Sequence, residues 1–343
     1  MVTLKDIARI CEVSPSTVSN VLNGKNSMSD EVKQRVLEVV RDTGYRPNIF
    51  ARNMRTSRSG TVGIIVEDLC QFSSPIITEM LLEYLEQHGY HPILMNMRMY
   101  YKLKNSDFSK EENLCEILYP VINQLDSIKV EGVIYVAAHC RELRLIPELI
   151  KYPTVYTYAF ADPGKYKSVI TDDETAAYDM INYLFSKGHR KIGIIAGDPE
   201  NYHTVNRLKG LEKAYSNAGF AFDRSFLVNG EWDRSSGYTQ AKKILKEDIT
   251  ALWCMNDRMA SGAYGAALEY GMEIGKDIAI CGFDNQELSS CLFPKLTTYE
   301  IPLYAIGYSA AQNLVDLLDV KDKAEITGDI VKFKGKVLAR ESA

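Results

Sequence analysis

VTLKDIARICEVSPSTVSNVLNG, from Val2 to Gly24, is the stretch of sequence that decides how this chain folds at its start. Thr3 can cap a first helix, and Asp6 follows three residues later in a capping-box position. Ser14 and Pro15 provide a second start, a capping hydroxyl followed by a residue that needs no N–H in the first turn. Apolar residues recur at helical spacing after each start: Leu4, Ile7, Ala8 and Cys11, then Val18, Val21 and Leu22. The stretch therefore predicts two short helices separated by a tight turn.

The outward positions of the second predicted helix are uncharged hydrogen-bonding residues: Ser16, Thr17, Ser19, Asn20 and Asn23. A short helix with such a surface is what a helix-turn-helix presents to the major groove of DNA. Spacing alone leaves a second interpretation open, a helical hairpin that only packs against a larger body.

The residues that follow make the first interpretation more specific. A third helix is predicted from Ser29 or Asp30 to about Gly44, and the segments GYRPN and NIFAR come after it. With TLKDIARICEVSPSTVSNVLNG before them, these motifs resemble the lac repressor family of bacterial transcription regulators. The resemblance covers essentially the whole chain. It implies a DNA-binding regulator, most simply a repressor, and not an enzyme.

The resemblance assigns roles to the second helix. Pro15, Ser16 and Asn20 match the positions that read bases, and Thr17, Ser19 and Asn23 match positions that contact phosphates. The family often has an aromatic or apolar residue in place of Pro15 and an Arg in place of Asn20. Because Asn pairs with adenine rather than guanine, the operator half-site is expected to differ from the family's commonest one.

Residues 49–59 are predicted to form a hinge helix in the family manner. The resemblance implies that this helix, capped by Asn48, enters the minor groove, where Ala51 and Met54 contact DNA and Met54 acts as an apolar wedge. The alternative is a solvated linker whose arginines only keep it in water.

Charge is distributed unevenly along the 343 residues. Residues 1–59 carry ten Lys/Arg and six Asp/Glu, a net charge of +4, which leaves −9 for residues 60–343 of the overall −5. A basic segment joined to an acidic body is typical of a DNA-binding module attached to a second function.

Several classes of protein are not supported by the sequence. The seven cysteines are scattered without a CxxC pair, so neither a disulfide framework nor a metal site is indicated. No cofactor-binding or catalytic motif occurs, and no cofactor or catalytic residue is expected. Without a membrane span or signal peptide, a cytoplasmic protein is expected.

From Thr61 onward, short apolar runs alternate with helical patterns, which predicts parallel sheets covered on both faces. The predicted strands are TVGIIV, HPILMNM, EGVIYVAA, PTVYTYA, KSVITD, RKIGIIAGD, FLVNG, TALWCMND and DIAICGFD. The fold class expected is an N-terminal all-α helix-turn-helix head followed by an α/β body of two doubly wound parallel-sheet lobes, similar to periplasmic binding proteins. Residues 99–110, rich in Tyr and Lys, are predicted to be a surface loop with no assigned role.

The resemblance also sets domain limits. The head is residues 1–48 and the hinge residues 49–59. The first lobe is residues 60–161 with 291–322, and the second is residues 162–290 with 323–343. The chain would cross between the lobes near Asp162, Ser290 and Asp322.

Polar residues follow several strands, at the edge where doubly wound sheets bind ligands. By the resemblance, the effector-binding residues are Arg207, Asp284, Asn256, Trp232 and Tyr158. A guanidinium, a carboxylate and an aromatic face together suit a polyol. Tyr158 stands where many relatives have an Asp. Structural roles remain open for Asn256 as a turn residue, Asp257 as a helix cap and Trp232 as core.

The partners expected are double-stranded operator DNA, a small carbohydrate-type effector and a second copy of the chain in a homodimer, with no membrane partner. One alternative is the same kind of regulator with a purine or a partner protein as co-repressor. The other is a solute-binding protein without a DNA function. The helix-turn-helix and the missing export signal argue against the second alternative.

Overall fold

A computed structural model describes residues 2–22, 28–45, 59–103, 110–320 and 328–343. The chain divides into two compact units, residues 1–59 and residues 60–343, which are described separately. The hinge helix and the contacts predicted for Asn23, Ala51 and Met54 lie outside the described residues.

The described residues of the head form three helices, α1 (Leu4–Ile10), α2 (Pro15–Leu22) and α3 (Asp30–Thr43). The predicted capping box is confirmed, since the Asp6 N–H donates to Thr3 Oγ1 and the Thr3 N–H donates to Asp6 Oδ2. Ser14 Oγ accepts the Thr17 N–H at 3.1 Å and so caps α2. The buried apolar residues come from all three helices: Ile7, Ala8, Cys11, Val18, Val21 and Val36. The apolar stripes read from the sequence therefore form one small core.

Gly44 and Glu12, in the described part of the head, adopt left-handed backbone conformations. Gly44 ends α3 with φ 62°, a conformation that costs glycine little. Glu12 lies in the turn between α1 and α2 with φ 55° and is exposed. A non-glycine residue pays about 1–2 kcal/mol there, and exposure leaves its long side chain room in water.

The body begins with a six-stranded parallel sheet in the order β11-β5-β4-β3-β1-β2. Its elements are β1 (Thr61–Val66), α4 (Ser73–Gln87), β2 (His91–Asn96), α5 (Met99–Leu103), α6 (Glu111–Ile128), β3 (Gly132–Val136), α7 (Ile146–Leu149), β4 (Thr154–Thr157), β5 (Lys167–Thr171), α13 (Leu303–Asp319) and β11 (Ile330–Phe333). Strands β1 and β3 are buried along their whole length, as expected for a sheet covered on both faces.

A second parallel sheet has four strands in the order β7-β6-β8-β9. Its elements are α8 (Asp173–Ser186), β6 (Ile192–Ala196), α9 (Tyr202–Asn217), β7 (Leu227–Asn229), α10 (Arg234–Ile244), β8 (Ala251–Cys254), α11 (Asp257–Glu269), β9 (Ala279–Cys281) and α12 (Glu287–Cys291). Two further strands, β10 (Thr298–Glu300) and β12 (Lys336–Leu338), form an antiparallel pair. Every strand predicted from Thr61 to Asp284 is present, and the two-lobed α/β architecture is confirmed.

The chain passes between the sheets later than expected. The expected crossings were near Asp162, Ser290 and Asp322, and the last lies outside the described residues. Because β5 pairs with β4, the first crossing follows Thr171. The second follows β10, since α13 packs on α4 and on the first sheet. The third follows Phe333, because β11 pairs with β5. An apolar strand reads the same in either sheet, so the sequence did not reveal which one β5 would join.

The segment predicted as a loop over residues 99–110 is partly helical. Met99–Leu103 forms α5, and residues 104–109 are outside the described part of the chain. The Tyr100 N–H donates to Asp68 Oδ2 at 3.0 Å, and the Met99 side chain is buried. The start of this segment is therefore fixed to the first lobe. In the parts of the chain that the structure describes, every helix is too short or too polar to cross a lipid bilayer.

Candidate functional site

The head presents the predicted DNA-reading residues on the surface of α2. Pro15 and Ser16 are exposed, and Thr17, Ser19 and Asn20 are half-buried, whereas Val18 and Val21 face the core. Ser14 Oγ lies 2.6 Å from Ser16 Oγ and 2.8 Å from Thr17 Oγ1. These hydroxyls therefore have partners that a phosphate or base could replace.

The body contains a cavity of about 390 Å³, within the range of small-molecule sites. Both lobes line it: Cys70, Gln71, Phe72, Ala138, His139, Tyr158, His203, Arg207, Trp232, Asn256, Arg258, Asp284 and Gln286. Most of these residues come shortly after the carboxyl ends of strands, where a doubly wound sheet opens. All five residues predicted to bind an effector lie in this cavity.

Arg207 is fixed from behind by a buried network. Its Nε donates to Asp173 Oδ1 at 2.8 Å, its Nη1 donates to the Met255 carbonyl, and its guanidinium lies 3.6 Å from the Phe283 ring centroid. Only 2% of Arg207 is exposed. The remaining Nη2 has no bond among the described residues, so it can donate to a ligand in the cavity.

His203 completes this network and fixes its own tautomer. Its Nδ1 lies 2.8 Å from Asp173 Oδ2, and its Nε2 accepts the Cys140 N–H at 3.2 Å. Since Nε2 accepts, the proton is on Nδ1, which donates to the carboxylate. Burial raises the pKa of Asp173, but His203 and Arg207 outweigh it and hold that pKa below its ordinary value. Asp173, which the sequence analysis missed, stays ionised and holds both side chains.

Asp284 projects from the loop after β9 with φ 110°, a backbone conformation that is costly for a residue with a side chain. Its N–H donates to the Tyr299 carbonyl at 2.8 Å, and its Oδ2 accepts from Gln286 Nε2 at 2.8 Å. Burial raises the pKa of the Asp284 carboxyl well above its ordinary value. Oδ1 has no partner within the described ranges, so this buried carboxyl has bonding capacity directed at a ligand.

Asp257 has a structural role, but it is not the helix cap that was expected from the sequence. Asn256 is the N-cap of α11, and its Oδ1 accepts the Met259 N–H at 2.8 Å. Asp257 accepts the Thr298 hydroxyl at 2.6 Å and the Gln286 N–H at 2.7 Å. Burial raises the pKa of Asp257 to about 7. Its contacts position the loop that carries Asp284 and Gln286.

Trp232 lies against the cavity and not in the core. Its backbone has φ 62°, and its carbonyl accepts from Asn256 Nδ2 at 2.9 Å. A Cβ placed on Gly197 would lie 1.9 Å from Trp232 Cζ2, so the indole packs directly on the bare backbone there. Asn256 therefore uses its amide to hold Trp232 in place as well as to cap α11.

Tyr158 occupies the first-lobe side of the cavity with φ 59° and a side chain that is nearly buried. Its ring centroid lies 5.5 Å from that of His203. Burial raises its pKa well above the ordinary value for tyrosine, so the hydroxyl keeps its proton. Tyr158, Trp232 and Asp284 all have positive φ, and such strain is concentrated at functional sites.

The first lobe adds a wall that sequence reasoning did not find. Glu67 is fully buried and accepts the Ala138 N–H at 2.8 Å and a hydrogen bond from Arg141 Nη1 at 3.2 Å. His139 lies between Ala138 and Arg141 in the sequence. Its Nε2 forms a hydrogen bond with the Tyr100 hydroxyl of α5. Burial lowers the pKa of His139 to about 4, so its ring is neutral near pH 7. The start of the 99–110 segment, which was predicted as a loop with no assigned role, thus supports His139 at the cavity.

Cys70, Gln71 and Phe72 of the first lobe were also missed, and so were Arg258 and Gln286 of the second lobe. Arg258 and Gln286 both come two residues after a predicted site residue, in the segments NDR and DNQ. Their polar side chains close to predicted strand ends were the feature of the sequence from which they could have been predicted.

The chain is similar to known proteins along its whole length. The profile of bacterial regulatory proteins, lacI family, matches residues 3–48, and that of the periplasmic binding protein-like domain matches residues 181–343. The HTH-type transcriptional regulator RegA of Clostridium saccharobutylicum is 32% identical over 328 residues, which are 94% of each chain.

Solved structures of similar fold include a lac repressor complex and a CelR complex. The lac repressor dimer bound to operator and the anti-inducer ONPF has a TM-score of 0.81 at 23% identity, over 99% of this chain and 98% of the other. The complex of the transcriptional regulator CelR with cellobiose has a TM-score of 0.68 at 22% identity and covers both chains fully.

Proposed function

The chain belongs to the lacI family of bacterial regulatory proteins, and we propose that it is a repressor whose operator affinity is set by a carbohydrate-type effector in the body cavity. That it is a DNA-binding transcription regulator follows from the family. The effector and the residues that hold it are the proposal.

The observation that carries the proposal is the convergence of Arg207, Asp284 and Trp232 on one cavity. The first two are nearly buried, and each keeps a donor or an acceptor at the cavity that a ligand can bond in place of water. An indole face beside them suits the apolar side of a sugar ring. The same fold holds cellobiose in CelR, which supports a carbohydrate as the class of ligand.

On the DNA side, Pro15, Ser16 and Asn20 would read bases in the major groove, and Thr17, Ser19 and Asn23 would contact phosphates. Ala51 and Met54 would contact the minor groove. A homodimer would place two heads on a pseudopalindromic operator in the cytoplasm. Effector binding would change the angle between the lobes and the state of the hinge, and a coupling of about 1–3 kcal/mol suffices to switch occupancy.

Calorimetry with sugars, paired with operator gel shifts, tests the site. Asp284→Ala should weaken effector binding by about 2–4 kcal/mol, because the effector hydroxyls lose their hydrogen bonds to the Asp284 carboxyl. Trp232→Ala should cost about 1–2 kcal/mol through lost apolar contact. Asp248→Ala, an exposed carboxylate that pairs with Lys191, is the matched control and should bind as the wild type does.

Arg207→Ala also loses effector binding, but it leaves Asp173 buried without its cation and should lower stability as well. Asp284→Ala and Trp232→Ala are therefore the decisive variants. Unchanged effector affinity in both would exclude the proposed site. With an inducer, both variants should still bind operator; with a co-repressor, they should fail to bind even when it is added.

A further inference from the structure

Arg207 and Arg258 are cations in the lining of the cavity, and Asp284 is a carboxyl in the same lining, whose pKa burial raises well above its ordinary value. Arg207 is offset by Asp173, and its Nε and Nη1 are already used. Arg258, by contrast, has an exposed guanidinium with no ion pair or hydrogen bond among the described residues. Asp233, the carboxylate of the neighbouring loop, accepts the Ser236 N–H at 2.7 Å as the cap of α10. This bond, and more weakly the charge of Arg258, hold the pKa of Asp233 below its ordinary value, but the two side chains form no salt bridge. The cavity thus has one cation available at its second-lobe wall.

The position of Arg258 is unfavourable for a cation in the unliganded protein. It is the second residue of α11, a helix of 13 residues, and cations are disfavoured near the positive end of a helix. Helices α4 and α9 also begin at the cavity, through Phe72 and His203. Doubly wound folds always direct helix N-termini towards this edge, so these ends alone do not distinguish ligands. Arg258 makes the electrostatic potential at the cavity more positive than these helix N-termini alone would make it.

A neutral sugar would leave this arginine without a partner. It could satisfy Arg207 and Asp284, each more than nine-tenths buried with an unused bonding group in the cavity. If the cleft closed over such a sugar, Arg258 would lose water and gain no counter-charge, which is costly. A phosphate or carboxylate on the ligand would instead accept a bidentate pair from the guanidinium.

We propose that the effector is an anionic carbohydrate, a sugar phosphate or a sugar acid, and that Arg258 binds its anionic group while Arg207, Asp284 and Trp232 bind the sugar. This inference rests on the proposed effector site. Arg258 is then the residue that separates charged from neutral sugars.

Calorimetry on the full chain with matched probes tests the inference. The panel pairs neutral hexoses and pentoses with their phosphate monoesters and uronates, for example glucose with glucose 6-phosphate and glucuronate, and ribose with ribose 5-phosphate. A charged member should bind more tightly than its neutral parent. The phosphate and uronate arms identify which anion is recognised.

Arg258→Gln should weaken binding of that charged probe roughly 10- to 100-fold, the loss expected for charge-assisted hydrogen bonds, with little change for the neutral parent. Arg258→Lys should retain part of the affinity, since the charge remains but the bidentate geometry is lost. Arg224→Gln, which removes an exposed arginine paired with Glu212 outside the cavity, is the control and should not differ from the wild type.

Two results would overturn the inference in distinguishable ways. If a neutral sugar binds more tightly than its charged derivatives, or if Arg258→Gln binds the charged probe with wild-type affinity, the anionic assignment is wrong while the carbohydrate site stands. If no member of the panel binds, the proposed carbohydrate effector is itself wrong.

Discussion

Three of the residues that line the body cavity have strained backbones. Tyr158, Trp232 and Asp284 have φ of 59°, 62° and 110°, and each costs on the order of 1 kcal/mol relative to an ordinary conformation. Surrounding hydrogen bonds hold them, such as the bond from the Asp284 N–H to the Tyr299 carbonyl. The fold therefore holds these three side chains at one cavity in spite of the strain in their backbones.

A substitution at Gly197 tests whether effector affinity depends on the position of the Trp232 indole. A methyl group there would lie 1.9 Å from Trp232 Cζ2, so Gly197→Ala should displace the indole. We expect the body to lose about 1–3 kcal/mol of stability through overpacking, and effector affinity to fall by roughly as much as in Trp232→Ala. Thermal unfolding and calorimetry measure the two effects.

Gly265→Ala is the matched control, because its new methyl group would meet only ordinary contacts, at 3.5 Å or more, inside α11. A glycine replaced by alanine within a helix should stabilise the protein by about 0.5–1 kcal/mol and leave the ligand affinity unchanged. Equal effector affinity in Gly197→Ala and Gly265→Ala would contradict the role given to the indole.

Among the secondary-structure elements, α11 of the second lobe connects directly to the cavity, because it begins just after β8 ends. Asn256 caps α11 through Oδ1 and holds the Trp232 carbonyl through Nδ2, so a single side chain joins the start of a helix to a neighbouring loop. The same region carries Arg258. Stability of the helix and geometry of the cavity are therefore linked at this one turn.

Asn256→Ala and Asn256→Ser separate these two roles. Serine can cap the helix but cannot reach the Trp232 carbonyl, so Asn256→Ser should keep most of the stability, whereas Asn256→Ala should lose about 1 kcal/mol of cap energy. Both should bind effector more weakly than the wild type. Thermal unfolding that shows equal losses in the two variants would mean that the cap is not what stabilises this turn.

At the scale of the molecule, each unit has its own core. The head buries residues from α1, α2 and α3, and the body has two clusters formed entirely by residues after Gly60. Removing residues 1–59 should therefore leave a folded body that still binds effector, with all operator binding lost. Gel shifts in a salt series measure the loss, since the full chain should bind more weakly as salt displaces its phosphate contacts. Operator binding by the truncated body with unchanged affinity would refute the assignment of the head.

The local structure of this protein could be predicted from its residues alone. The capping box of Thr3 and Asp6, the cap of Ser14 and the apolar spacing define the head, because these signals act within one turn of helix. Each strand from β1 to β9 was readable as a short apolar run. Arg207 and Asp284 were found because they match the motifs of a family, and the structure brings both to one cavity.

Tertiary structure decided what depends on residues far apart in the chain. An apolar strand carries no mark of the sheet it will join, so β5 and β11 could be assigned to the first lobe only from their backbone pairing. Asp173, which lies 34 residues from Arg207, could not be recognised as its counter-ion from spacing. Arg258 looks in sequence like any exposed helical arginine; its unpaired charge has meaning only because the folding of two lobes puts a cavity in front of it.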